Sequence, residues 1–262
     1  MLNTWLISDN LGSSIYSKFI LFDIDGTNSL SEDVMTHLKD ILVTSRFDKD
    51  FLDRMAKHLE WDQLRDLIAK HLPTNDKMRK GDFGEALTNA ILEQFDGYVI
   101  PVPKLRFKLT KNQSLPGTDT LAFKVDHDHK IIEVCYVESK LRCAVDYRAA
   151  IDAYDQLQDD YSNILPAILQ FTVQRLYERN DILFDSFAAY IAARNDTADM
   201  DSFRIGLHWE NAEWREQVLV NLEGHNIILP NLSLHYVRVN GLLPLIQQLY
   251  SELGVTEVSE DD

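Results

Sequence analysis

The chain has 262 residues, 45% hydrophobic and 26% charged, with a formal net charge of −16. That is the composition of a soluble globular protein long enough for one large core or two modest ones, and no apolar run reaches the roughly 20 residues that span a bilayer. Two cysteines, Cys135 and Cys143, are too few for a disulfide framework or a structural zinc site. The opening MLNTWLISDNLG lacks the basic flank and apolar stretch of a signal peptide, so a cytoplasmic location is expected.

In chain order, the first run is FILFDIDGT, residues 19–27. Its apolar half reads as a strand, and Asp25-Gly26-Thr27-Asn28 as a turn, because these residues favour tight turns. The Asp-x-Asp-Gly-Thr ending resembles the haloacid-dehalogenase phosphatases, in which Asp23 would be the nucleophile and Asp25 the acid. No later carboxylate pair stands where that chemistry needs one, since Asp159-Asp160 falls within a helical stretch. Ser29-x-x-Glu32 has the form of a capping box. Val34, Leu38, Ile41 and Leu42 follow it at helical spacing. A further helical stretch, 49–72, carries Phe51, Leu52, Met55, Leu59, Leu64 and Ile68 until Pro73 ends it. Residues 1–75 are expected to form an N-terminal α/β subdomain with a possible docking role.

The next segment changes character. Residues 81–95 read as a helix with Phe83, Leu87, Ala90 and Ile91 on one face. Residues 98–109 read as a first strand, 119–125 as a second, 126–129 as a turn and 131–140 as a third. A long helical region spans 145–194. Phe203, Ile205, Leu207 and Trp209 then alternate as a strand, 236–239 suggest another, and 242–253 a last helix. Residues 76–255 make one domain in this reading, and 256–262 an acidic disordered tail.

Charge is unevenly spread: residues 77–148 hold 12 Lys+Arg against 10 Asp+Glu, and the rest 14 against 32. DNA affinity depends on neutralising phosphates, so the central segment is much less hostile to an anionic ligand than its flanks. Chemistry-bearing residues fall there too. Asp119 opens the second strand, and Glu138 and Lys140 project to one face near the end of the third. A hairpin through the 126–129 turn sets Asp119 beside Glu138. Two such carboxylates suit a hard cation such as Mg²⁺, which would activate water for phosphodiester hydrolysis, with Lys140 orienting or deprotonating that water. His127-Asp128-His129 reads as turn rather than metal cluster, Gln156 as a residue that could line the site, and Tyr161 as helix packing.

Glu85, Asp119 and Glu138-x-Lys140 on these elements resemble the PD-(D/E)xK nuclease superfamily, whose α-β-β-β-α-β core would occupy roughly residues 80–210. The resemblance gives Glu85, Asp119, Glu138 and Lys140 catalytic positions, with Glu85, Asp119 and Glu138 as ligands for Mg²⁺ or Mn²⁺. The phrases GDFGEALTNAIL, LPGTDTLAF and VESKLR resemble, more closely, the HamA family, nuclease subunits of the Hachiman anti-phage defence system. That resemblance implies a bacterial DNA endonuclease held by a HamB-like helicase partner. Arg79, Lys80, Lys104, Arg106, Lys108, Lys111, Arg142 and Arg148 are the expected contacts to the DNA backbone. The alternatives are the phosphatase built on Asp23 and Asp25, and a non-catalytic acidic module that mimics DNA.

Overall fold

A computed structural model describes residues 2–9, 16–113, 115–194 and 198–255; the expected acidic tail lies outside these residues. Two strands, β1 (Ile7–Asp9) and β2 (Ile20–Gly26), precede helices α1 (Glu32–Arg46), α2 (Lys49–Met55) and α3 (Trp61–His71). Helix α4 (Asp76–Gln94) leads to the hairpin β3 (Thr120–Val125) and β4 (Ile131–Arg142). After α5 (Ala149–Asp159), α6 (Leu165–Glu178) and α7 (Phe184–Ala192) come β5 (Asp201–Glu210), α8 (Gln217–Gly224), β6 (Leu232–Val239) and α9 (Leu242–Glu252).

The strands form one six-stranded sheet in the order β1-β2-β6-β5-β4-β3. The β2–β6, β6–β5 and β5–β4 pairs are parallel, and both edges are antiparallel. Residues 20–26 therefore share a sheet with residues 120–239. One face packs on α1, α4 and α9 through Val34, Leu38, Phe83, Leu87, Ile246 and Leu249. The other packs on α5 to α8 through Tyr154, Leu157, Phe187 and Leu222. Helices on both faces of a largely parallel sheet give the mixed α/β class expected from the sequence.

Central strand β5 is buried on both sides, although its sequence alternates. Phe203, Ile205, Leu207 and Trp209 enter the apolar core on the α5 side. The opposite face carries Arg204, Gly206 and His208, also hidden. At Gly206 an added Cβ would lie 2.4 Å from Thr88 Oγ1. Helix α4 can therefore seat against the sheet only because that position has no side chain.

Several local expectations are corrected. The first core strand, 98–109, is reduced to one bridge, Val99–Phe123, followed by a 3-10 turn, Lys104–Phe107. Pro101 and Pro103 explain this, since neither offers an N–H to a ladder. Helix α1 is capped by Ser31, whose side chain accepts from Val34 N, and not by Ser29. The 49–72 stretch is two helices, and α2 buries none of its residues. The 145–194 region is broken by a π-helical turn, Asp160–Ile164. Asp126 accepts from Asp128 N and Lys130 N, making 126–129 the tight turn expected. Among the described residues no helix is long and apolar enough to cross a membrane.

Candidate active site

The antiparallel register pairs Thr120 with Val137, which brings Asp119, one residue earlier, opposite Glu138. A backbone bond fixes the arrangement, with Ser139 N donating to Asp119 Oδ2 at 2.9 Å. The loop before Asp119 turns at Gly117, whose φ of +89° is one that residues with a Cβ rarely adopt. Lys104 clamps that loop by donating to the carbonyls of Gly117 and Thr118.

Glu138 and Lys140 leave β4 on the same face, and Lys140 Nζ donates to Glu138 Oε1 at 2.6 Å. Glu85 arrives from α4. All four residues belong to one neighbourhood: a cleft of about 720 Å³ is lined by Glu85, Asp119, Glu138 and Lys140. Lys77, Lys80, Lys108 and Arg142 contribute positive charge to its walls. Gln156 lines it from α5, whereas Tyr161 packs on Tyr136 and Phe203 and donates to Asp201 Oδ2.

The electrostatics are those of crowded acids short of positive charge. Burial, then the neighbouring Asp119 carboxylate, pushes the pKa of Glu138 up to about 8 against the pull of Lys140. The same two causes hold Glu85 well above the ordinary carboxylate range. Glu85 is 7% exposed, and its Oε1 is buried without a hydrogen-bond partner. Among the described residues no three His, Cys, Asp or Glu side chains converge into a ready-made metal site. A hard cation nevertheless fits this donor set, because it would supply both the charge and the partner that the carboxylate oxygens lack.

The expected DNA contacts divide. Lys80, Lys108 and Arg142 line the cleft, though Lys108 is bonded to Asp82 at 2.8 Å and Arg142 to Asp146. Arg148 is exposed and pairs with Asp152. Lys104 holds the loop, Arg106 donates to Thr44 O and reaches Asp48, and Lys111 gives its carbonyl to Arg46. Arg79 is a correction: it is 2% exposed, donating to Pro73 O and lying over the Tyr250 ring, so it does not face a ligand. Asp23 is held by Arg238 at 3.1 Å, and Asp25 caps Thr27 N. Both stand on β2, separated from β4 by β6 and β5.

Lys77 and Asp82 also line the cleft and are not among the residues expected from the sequence, although both lie at turn spacing from Glu85 on α4.

A mixed sheet with helices on both faces, and its carboxylates gathered beside a strand pair, defines an α/β fold of the nuclease-like kind. A family model described as HamA matches residues 1–207. The chain belongs to the HamA family, and so to the proteins associated with Hachiman anti-phage defence. No curated protein matches it.

Proposed function

We propose that the chain is a metal-dependent DNA endonuclease, the effector of a Hachiman-type system, which acts with a HamB-like helicase partner. The observation that carries this reading is the meeting of Glu85, Asp119, Glu138 and Lys140 in one cleft with basic walls. Asp119 and Glu138, with Glu85 behind them, would hold Mg²⁺ or Mn²⁺. When bound, such an ion acidifies water and stabilises charge on the phosphate. Lys140, hydrogen-bonded to Glu138, would orient the attacking water and balance the charge of the phosphate. Lys77, Lys80 and Arg142 would position the backbone without reading sequence. The strongly acidic remainder keeps affinity for DNA low until the partner delivers it, and offers a surface to a basic partner. Residues 1–75 are the proposed docking segment.

The test is plasmid cleavage in Mg²⁺, with the helicase partner present, by the wild-type chain and by Glu138→Ala/Lys140→Ala. Cleavage should disappear in the double variant and on chelation, and persist in Asp23→Asn. Cleavage that survives the double variant, or is lost only through Asp23, rejects the reading.

A further inference from the structure

Asp160 is 2% exposed, yet only half of its carboxylate is satisfied. Gln156 Nε2 donates to Oδ1 at 3.0 Å, while Oδ2 is buried with no partner. The residue begins the π-helical turn between α5 and α6. Pro166, in the first turn of α6, lacks the N–H that an unbroken helix would return to Ser162, which favours a widened turn there. Such turns are often found at functional sites.

A purely structural carboxylate in this layer is treated differently. Asp201, close by in the fold, accepts from Tyr161, Tyr190 and Arg194. Asp160 has no cation bonded to it among the described residues, and an unpaired buried carboxylate is costly. Asp160 meets the site through Gln156, which both bonds it and lines the cleft. A partnerless carboxylate oxygen thus stands on each side of the sheet, Glu85 Oε1 on α4 and Asp160 Oδ2 in the π turn.

We propose that Asp160 is a positioning residue of the nuclease site, its free Oδ2 accepting a hydrogen bond from water that hydrates the divalent cation. This rests on the nuclease reading above. The role is through water because Gln156, and not Asp160 itself, lines the cleft that holds Asp119 and Glu138. Gln156 aims the carboxylate by occupying Oδ1, so the two act as one unit across the cleft from α4.

Calorimetric titration of the full chain with Mn²⁺ tests this, using wild type, Asp160→Asn and Asp119→Asn. Asp160→Asn should raise the Mn²⁺ Kd by about 10- to 100-fold, the range for partners of metal ligands. Its melting temperature in EDTA should be unchanged or higher, and excess Mn²⁺ should restore cleavage. Wild-type Mn²⁺ affinity in Asp160→Asn overturns the proposal, whether or not the variant melts earlier. If that variant does not fold, Gln156→Leu replaces it: weaker Mn²⁺ binding supports the unit, and unaltered binding overturns it. Loss of binding in Asp119→Asn upholds the metal site independently of Asp160. A wild-type chain that neither binds Mn²⁺ nor cuts DNA defeats the nuclease reading itself.

Discussion

Asp82 and Glu85 lie one turn apart on α4, and both are buried, but their surroundings are opposite. Asp82 is bonded by Arg46 from α1 and by Lys108 from the segment after the 3-10 turn. Glu85 has no ion pair among the described residues, and its Oε1 has no partner at all. Farther along, Asp96 repeats the first pattern. Burial works against its carboxylate, but the His235 hydrogen bond and Arg204 outweigh this and hold its pKa below the ordinary value. The protein thus pairs the acids that join its layers, Asp82 and Asp96, and leaves Glu85, one turn from Asp82, without an ion pair among the described residues. That contrast marks Glu85 off from Asp82 without reference to any relative.

The contrast can be broken most severely at Asp82. Asp82→Ala leaves Arg46 and Lys108 buried without their anion and should cost about 3–5 kcal/mol in urea or thermal unfolding. A loss under 1 kcal/mol would mean that the pair contributes little.

Glu138 gives the next effect. With its folded pKa at about 8 against an ordinary 4.5, the cation-free folded chain holds a proton that the unfolded chain has released. The stability this provides is complete below pH 4.5 and is lost as pH rises to about 8, on the order of 2–4 kcal/mol. Melting curves in EDTA from pH 5 to 8 should therefore show Glu138→Gln gaining on wild type as pH rises. Parallel curves for the two proteins would contradict the assignment.

Glu85→Gln sharpens the comparison in the opposite direction from Asp82. Replacing an unpaired buried acid by an amide should stabilise the cation-free chain by about 1–3 kcal/mol, while Mn²⁺ binding weakens. A destabilised variant would place Glu85 with the scaffold. The smallest effect is expected at Asp23→Asn, which breaks a partly exposed pair with Arg238 and should cost about 0–1 kcal/mol, leaving cleavage intact.

Much of this was legible in the sequence, for physical reasons that can be named. The hairpin carrying Asp119 and Glu138 follows from a strong turn, Asp126 to His129, between two apolar runs, and register follows from turn length. Helix α4 was recognisable, though its start at Asp76, capped by Asn75, was not distinguished from the preceding segment. What resisted was anything decided by distant residues. Arg79 looked like a surface cation because nothing local reveals Tyr250 above it. The alternation in β5 suggests one wet face, whereas α4 covers that face, and Asp96 and Thr88 bond its Arg204 and His208. The 98–109 stretch alternates convincingly, but its two prolines outweigh the pattern.

The pairing of β2 with β6 has a consequence for how the molecule is made. Asp23 and Arg238 meet across 215 positions of sequence, so closing that loop carries an entropic cost of roughly 5 kcal/mol plus a constant. On a ribosome, the first strand pair cannot join the rest of the sheet until β6 has emerged, long after the residues of the cleft are synthesised. Native assembly is therefore a late, non-local event of the kind that folds slowly. A nascent chain carrying every cleft residue still lacks the strand that ties its beginning to its centre.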